Sequence, residues 1–352
     1  MAQNTIRAVL LGAAALVITT APAPAWDYPG HRMVGAIADF VLNSRHPKAY
    51  ARVKALLATT DADGNKLQRT LSQVAVFPDC AKVNNVPFCG RTPSDEEKDY
   101  AGHNKHHTDY HFTDMPVQQS KYAAGSPGTG AHDLVQMINY AVAQLRGKSP
   151  SKPDVALSDT EALWLLTHLV GDVHQPLHVG SVYYDKETCK QMKDPTGLAG
   201  GTDSVVSTIG GNAFQLVALA PDPAAPPNDN LHFFWDGTAV NGAMQAAGLS
   251  GAEQDFARLL AANAPADWRT DGDPEGWAEK WATEVLPLAR VSLAKLTFTL
   301  KERTESAQGK VSCTWTTQIS PRYSKWASEQ ARKQITKAGF RLAAMLTAIF
   351  EP

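Results

Sequence analysis

A short stretch of the chain, from His168 to His178, holds three histidines and one aspartate, which are side chains that commonly bind metals. It follows an apolar run over 162–166, so the sequence predicts that it closes a buried helix. Because residues four apart on a helix point the same way, His168 and Asp172 would present an imidazole and a carboxylate on one face. Pro176 ends that helix, and the turn would return His178 toward the pair. Two histidines and a carboxylate at a helix end predict a metal site, with zinc as the leading candidate.

The alternative for this stretch is an ordinary core helix that happens to carry polar residues. Buried charged groups are rare unless they are paired or bind a metal, which disfavours that alternative. A second pair with the same spacing follows later in the chain, at His232 and Asp236.

Further side chains of ligand type fall at predicted helix ends or beside proline and glycine. The full set is His31, Asp79, His111, His168, Asp172, His178, His232 and Asp236. A zinc ion takes about four ligands, so this set is too large for one ion. The sequence therefore predicts a cluster, in which a carboxylate such as Asp172 bridges two ions.

The overall charge is nearly balanced. The chain has 352 residues and a formal net charge of −2, a length that suits one large domain or two ordinary ones. This charge gives no overall attraction to nucleic acid or to acidic membranes. Nucleic acid is not excluded, because a metal cluster supplies local positive charge that a count of side chains misses.

Residues 1–25 are predicted to be a secretory signal. Arg7 is followed by an apolar run over 8–18 and by the small-x-small sequence Ala-Pro-Ala over 23–25, which is typical of a cleavage site. The apolar run is too short to span a membrane, so we do not expect an integral membrane protein. The mature chain is predicted to begin at Trp26 and to be secreted or periplasmic.

Four cysteines fit an oxidising compartment, and three pairings are possible. We favour Cys80–Cys89 with Cys189–Cys313, because the first pair brackets a short loop that contains proline. Zinc binding by the cysteines is disfavoured, since no second pair has the spacing of zinc ligands.

The hydrophobic periodicity is mostly that of helices. The predicted helices cover 33–42, 47–58, 66–77, 131–146, 158–174 and most of 251–350, with breaks near 263–274 and 303–322. Segments 204–209 and 213–218 are predicted to pair as a short β-hairpin in the 200–220 region. With no internal repeat and no clean linker, residues 26–352 are predicted to form one compact, mainly α, multi-helix domain.

The motifs together resemble a known family, the trinuclear-zinc nucleases. This family includes fungal single-strand-specific nucleases, plant bifunctional nucleases and bacterial relatives. The motifs that carry the resemblance are Trp26-x4-His31, Pro78-Asp79, His111-Phe-x-Asp114, His168-x3-Asp172-x-His-Gln-Pro-x-His178, Gly210-Gly-Asn212 and Asn-Leu-His232-x2-Trp-Asp236. The resemblance implies the fold shared by zinc-dependent phospholipase C and these nucleases.

The resemblance also implies three zinc ions and a ligand set for each. One zinc would take Asp79, His111, His168 and Asp172. A second would take the free amine and carbonyl of Trp26, together with His31 and Asp172. A third would take His178, His232 and Asp236 and keep positions open for water or substrate.

The activity implied is hydrolysis of RNA and single-stranded DNA to 5′-phosphorylated products, with removal of phosphate from 3′-nucleotides.

Asp114 would orient the attacking water, and Phe112 would stack a base, although a core role for Phe112 is nearly as well supported. Asn212 is either a substrate contact or a plain turn residue. Lys82 occupies a position where relatives often carry arginine; it keeps the charge for phosphate but lacks the bidentate fork. No stable protein partner is implied, and a monomer is expected.

Two other functions stay open at this point. A zinc-dependent phospholipase C acting on phosphatidylcholine-type lipids would use a similar ligand set, but such enzymes tend to carry glutamate where this chain has Asp236. The short spacing from Trp26 to His31 also favours the nuclease. A zinc-storing protein would leave Asp114 and an open third site without a purpose.

The remaining histidines receive plainer interpretations. His103, His106 and His107 are predicted to form a polar loop rather than a fourth metal site, because they lack carboxylate partners at helical spacing. His174 is expected to hold a ligand or a backbone carbonyl.

Overall fold

The computed structural model describes residues 26–60, 66–82, 89–199, 201–217, 230–263 and 268–351. The predicted secretory signal, residues 1–25, lies outside the described residues. The mainly α prediction is confirmed. In chain order the helices are α1 Tyr28–Arg45, α2 Pro47–Leu57, α3 Leu71–Val74, α4 Phe77–Cys80, α5 Asp95–His103, α6 Leu134–Leu145, α7 Asp159–Asp172, α8 Pro176–Val179, α9 Leu231–Phe233, α10 Ala239–Ala246, α11 Glu253–Asn263, α12 Trp277–Ala294 and α13 Pro321–Phe350.

Helix α7 lies at the centre of the molecule. It packs against α1, α6 and α13, and every residue from Ala162 to Asp172 is buried. A helix that is apolar on all sides must be enclosed in this way. Its start is set by a capping box, in which the Ser158 hydroxyl accepts from the Glu161 amide and the Glu161 carboxylate accepts from the Ser158 amide. The last residue of α7 is Asp172, so the predicted metal-binding pair stands at a buried helix end.

The strands are short and form four small sheets. Their bounds are β1 Ala58–Thr60, β2 Lys66–Gln68, β3 Met115–Pro116, β4 Gly180–Ser181, β5 Tyr183–Asp185, β6 Met192–Lys193, β7 Val205–Ser207, β8 Phe214–Leu216, β9 Thr299–Glu305 and β10 Val311–Thr317. The pairings are β1 with β2, β3 with β4, β6–β5–β7 and β8–β10–β9.

The predicted hairpin in the 200–220 region is wrong in its pairing, although both of its strands exist. Strand β7 pairs antiparallel with β5, and β8 pairs parallel with β10, with Phe214 opposite Trp315. Between them, Ile209, Gly210 and Gly211 all have positive φ, at 52°, 53° and 85°. A Cβ on Gly210 would lie 2.1 Å from the carbonyl oxygen of Leu177. The turn therefore packs closely against Leu177 of α8, and β7 and β8 do not pair with each other as a hairpin.

The parallel pair β3 and β4 brings two distant parts of the chain together. Met115 lies opposite Gly180, and the Thr113 amide donates to the His178 carbonyl over 2.8 Å. The segment that holds His111 and Asp114 is thereby held against the segment that follows α7.

A single turn of π-helix, Phe234–Thr238, carries Asp236. It continues directly from α9, whose start is capped by the Asn230 side chain accepting from the Phe233 amide. Such turns are rare in proteins, and those that do occur are often found at functional sites. Here it leaves Asp236 fully buried.

Both predicted disulfides, Cys80–Cys89 and Cys189–Cys313, are confirmed. The first joins α4 to the chain that precedes α5, and the second ties the β9–β10 hairpin to the segment after β5. Within the described residues, no helix is long and apolar enough to cross a membrane.

Candidate metal centre

The side chain of Asp172 stands where two groups of histidines meet. Its Oδ1 lies 3.2 Å from His31 Nε2, and its Oδ2 lies 3.2 Å from both His111 Nδ1 and His168 Nε2. All four side chains are buried. A carboxylate with one oxygen toward each group has the arrangement needed to bridge two cations.

The first group consists of Asp79, His111 and His168. His111 Nδ1 lies 2.9 Å from His168 Nε2. Asp79 Oδ1 lies 3.6 Å from the first of these nitrogens and 3.8 Å from the second. Lys82 Nζ donates to the same carboxylate oxygen over 2.7 Å. Helices α4 and α7 and the segment before β3 each supply one of the three side chains.

The second group consists of His31, His168 and Asp172. The His31 and His168 rings stack with centroids 3.7 Å apart. Trp26 is fully buried beside them, and its indole nitrogen donates to the Gly171 carbonyl over 2.7 Å. A Cβ on Gly171 would lie 2.9 Å from His31 Nδ1, so the glycine makes room for this ring.

The third group consists of His178, His232 and Asp236. The two Nε2 atoms of the histidines are 2.9 Å apart. Asp236 Oδ2 lies 3.4 Å from His232 Nε2, and Asp236 Oδ1 lies 3.7 Å from His178 Nε2. These side chains come from α8, α9 and the π-helical turn.

The hydrogen bonds of the third group fix its tautomers. The Nδ1 of His178 donates to the His111 carbonyl over 2.6 Å, and the Nδ1 of His232 donates to the Gly210 carbonyl over 2.8 Å. Each neutral ring then carries its lone pair on Nε2. Burial lowers the pKa of both histidines, which disfavours a second proton. Two lone pairs and the carboxyl group of Asp236 therefore face one another, and a cation is what such a donor set fits.

The pKa values show the same demand for positive charge around Asp172. Burial opposes ionisation of Asp172, but His168, His111 and His31 outweigh it and hold the pKa well below its usual range. Burial also lowers the pKa of His168, yet Asp172 and Asp79 outweigh it and raise that pKa. Without a metal, the two carboxylates thus favour the protonated form of His168.

Asp236 behaves differently. Burial raises its pKa to about 8, although His232 and a hydrogen bond from Gln175 both oppose the rise. The carboxyl group is therefore mostly protonated at neutral pH in the metal-free protein, and a cation bound beside it would displace that proton.

The predicted residues that are not ligands come together in one cleft beside these groups. Lys82, Phe112, Asp114 and Asn212 all line it, together with His111, His178 and His232. Asp114 Oδ2 accepts from the Ser207 hydroxyl over 3.4 Å. The Asn212 amide donates to the Ile209 carbonyl over 2.9 Å, which secures the turn at Gly210 and Gly211.

The chain matches a known family along nearly all of its described length. A family model described as S1/P1 Nuclease matches residues 26–351. The chain belongs to the S1/P1 nuclease family. The predicted resemblance is thereby confirmed, and the match includes every side chain of the three groups.

Two plant proteins resemble this S1/P1 family member over shorter spans. Endonuclease 4 of Arabidopsis thaliana is 29% identical over 157 residues, which cover 44% of this chain and 45% of that protein. Endonuclease 1 of the same plant is 35% identical over 75 residues, covering 20% of this chain and 25% of that protein. The matches thus span less than half the length of each of these two relatives.

Gln175 is a site residue for which the sequence analysis assigned no role. It is fully buried; its amide donates to Asp236 Oδ1 over 2.7 Å, and its carbonyl accepts from the Leu177 amide over 2.5 Å. Its position in the sequence, between the predicted ligands Asp172 and His178, is the feature that could have indicated a role at the site. Gln175 thus links α8 to the carboxylate of the third group.

His174 holds a backbone carbonyl, as predicted, but His103 does not lie in a loop. It is the last residue of α5, and its Nδ1 lies 3.6 Å from Asp99 Oδ1, four residues earlier. His174 Nδ1 donates to the Val170 carbonyl over 2.8 Å, and its Nε2 accepts from Arg341 over 3.1 Å. Among the described residues, none of the three possible metal-binding groups includes His103, His106 or His107.

Proposed function

We propose that this S1/P1 family member is a zinc-dependent endonuclease. It hydrolyses phosphodiester bonds of RNA and single-stranded DNA to 5′-phosphorylated products, and it removes phosphate from 3′-nucleotides. The observation that carries the proposal is the set of three buried His/Asp groups, two of them joined through Asp172, beside a cleft that Lys82 and Phe112 line.

The proposed ligands are those that the family resemblance implied. Asp79, His111, His168 and Asp172 would hold one zinc; Trp26, His31 and Asp172 would hold the second; and His178, His232 and Asp236 would hold the third. Zinc bound in these groups would lower the pKa of water toward neutrality and offset the charge of a phosphodiester.

Protein groups around the cleft would position the substrate. Lys82 lines the cleft, and its ammonium group donates to Asp79. The same ammonium group would pair with a phosphate oxygen of a substrate bound in the cleft. Phe112 is half-buried, which leaves part of its ring for a base to stack on. Stacking requires an unpaired base, and this requirement explains a preference for single strands. Asn212 would contact the base or sugar at the other end of the same cleft.

Asp114 would orient the attacking water. Burial raises its pKa to about 6, against the opposing effects of Ser207 and of the nearby His178. The carboxyl group is therefore mostly ionised at neutral pH and accepts a hydrogen bond from water. As the pH falls below about 6, the carboxyl group of Asp114 becomes protonated and no longer accepts a hydrogen bond from the water.

The proposed location is outside the cytoplasm, as a secreted or periplasmic protein. Its two disulfides, Cys80–Cys89 and Cys189–Cys313, are typical of oxidising compartments. Removal of residues 1–25 would free the amine of Trp26. We propose a monomer without a stable protein partner.

The test is hydrolysis by the purified protein that begins at Trp26. Single-stranded RNA, single-stranded DNA and phosphatidylcholine vesicles are each incubated with and without a chelator. We expect chelator-sensitive release of 5′-phosphorylated nucleotides and intact lipid. Release of phosphocholine with intact nucleic acid would instead identify a phospholipase C. Retained zinc without hydrolysis of any substrate would indicate a zinc-binding protein.

Gln175→Met is expected to weaken the third zinc site about tenfold to a hundredfold. The variant keeps the side-chain length but removes the hydrogen bond that orients Asp236 Oδ1. Zinc content measured across a series of buffered free-zinc concentrations should show one weakened site out of three.

The matched control is Gln334→Met, since Gln334 is another buried glutamine and lies on α13. That variant should bind zinc like the wild type. An unchanged affinity of all three sites in Gln175→Met would show that Asp236 does not need this contact.

A further inference from the structure

A buried arginine, Arg341 on α13, has no part in the proposed reaction. Only 6% of it is exposed, and it is not among the described residues that line the cleft. Its Nη2 donates to Glu284 on α12, and its Nη1 donates to His174 Nε2 over 3.1 Å. Arginine is rarely buried to this extent unless it is paired. Glu284 supplies the opposite charge, whereas the bond to His174 reaches the chain two residues after Asp172.

The bond from Arg341 determines which nitrogen of His174 carries a proton. Arginine has donors only, so His174 Nε2 must be the acceptor and carries no proton. The neutral ring therefore has its proton on Nδ1, which donates to the Val170 carbonyl over 2.8 Å. The other tautomer would place a proton against the guanidinium group and leave the Val170 carbonyl without this donor. Arg341 thus selects the tautomer that bonds to the end of α7.

The Val170 carbonyl is one of the last four of α7, which lack the usual partners inside the helix. The carbonyls of Gly171 and Asp172 accept from the amides of His174 and Gln175 over 3.0 and 2.9 Å. Because the His174 amide bonds to Gly171, it does not serve the carbonyl four residues before it. The His174 side chain takes that place, so it closes the last turn of the helix, at which Asp172 stands.

We propose that Arg341 is a positioning residue for the metal centre. By donating to His174, it keeps the last turn of α7 closed and so fixes the carboxylate of Asp172 between its two groups of histidines. The inference rests on the proposed metal centre, since it concerns where this carboxylate stands when zinc binds. Contacts that orient the ligands of a metal strengthen its binding without touching the metal.

Zinc binding by two matched variants tests the proposal. Arg341→Met keeps an unbranched stem and removes both donors. Lys337→Met is the control, because Lys337 also donates to Glu284 from α13 but makes no hydrogen bond to His174. We expect Arg341→Met to weaken zinc binding about tenfold at the two sites that share Asp172. Lys337→Met should bind zinc like the wild type across the same series of buffered free-zinc concentrations.

The tautomer of His174 gives a readout that is independent of activity. In protein with isotope-labelled histidine, nuclear magnetic resonance distinguishes a proton on Nδ1 from one on Nε2, and His174→Leu identifies the signals by their loss. We expect a proton on Nδ1 alone in the wild type and in Lys337→Met. Arg341→Met should lose this single tautomer, a change that a merely destabilised core would not produce.

Combining substitutions shows whether Arg341 acts through His174. His174→Leu should itself weaken zinc binding about tenfold, and adding Arg341→Met should cause little further loss, because the two residues form one unit. If Arg341→Met does not fold, Arg341→Lys replaces it. A single ammonium group lacks the two-pronged geometry that reaches both His174 and Glu284, so a smaller loss of zinc affinity is expected.

Three results would overturn the inference. These are wild-type zinc affinity in the Arg341 variant, an unchanged tautomer of His174, and losses of zinc affinity that multiply in the double variant. A wild type that binds zinc but hydrolyses no substrate would contradict the proposed nuclease function alone, since zinc affinity and tautomer still decide the role of Arg341. A wild type that binds no zinc would overturn both proposals.

Discussion

Replacing Asp172 by asparagine is expected to lower kcat/KM about 10³-fold or more and to weaken two zinc sites together. Asp172 has one oxygen toward His31 and the other toward His111 and His168. Asparagine keeps the shape but removes the negative charge and replaces one acceptor oxygen by a donor. Because each factor of ten corresponds to about 1.4 kcal/mol, a loss of roughly 4 kcal/mol of charge stabilisation is sufficient.

Two measurements distinguish this result from misfolding. Zinc content should fall at two of the three sites. Adding zinc should also raise the melting temperature of the variant less than that of the wild type, because weaker binding to the folded state stabilises it less. The control is Asp159→Asn, at the exposed first turn of the same helix α7. Near-normal zinc binding with near-normal activity in Asp172→Asn would contradict the bridging assignment.

The spacing of histidine and aspartate residues along single helical segments made much of the candidate metal centre predictable from the sequence. His168 and Asp172 share one face of α7, and His232 and Asp236 come together across the π-helical turn. Both relations are local, so they depend little on the rest of the fold. The turn at Pro176 also forms as expected and starts α8, which carries His178.

Pairing between distant strands was not predictable in the same way. Strand β8 pairs with β10, which lies about a hundred residues later in the chain, and nothing near Phe214 indicates that partner. The predicted helix over 66–77 is wrong in its bounds, here for a local reason. Residues Lys66–Gln68 pair with β1, and a capping box at Thr70 then starts the separate helix α3.

Strand β10 shows a signal that the sequence analysis missed. Cys313, Trp315 and Thr317 are buried, while the residues between them are more exposed. This alternation is the pattern of a half-buried strand, whereas the sequence analysis predicts only a break between helices for this segment.

Adding one residue before Trp26 is expected to remove one zinc and most of the activity. Under the proposed assignment the α-amine of Trp26 binds a metal, and an amide nitrogen in its place cannot donate a lone pair. The rest of Trp26 is tied to the centre, because its indole donates to Gly171, directly before Asp172 in the chain. The added residue would therefore change the chemistry of the ligand while leaving the packing of the ring intact.

A removable extension gives the sharpest form of this experiment. The protein is produced with a short leader that ends in a protease site immediately before Trp26, and it is measured before and after cleavage. Zinc content should rise by one ion on cleavage, and hydrolysis should recover together with it. Recovery rules out misfolding, since the same molecules are compared. Full zinc content and full activity before cleavage would show that the second zinc does not require a free amine, and His31 and Asp172 would then have to hold it with other ligands.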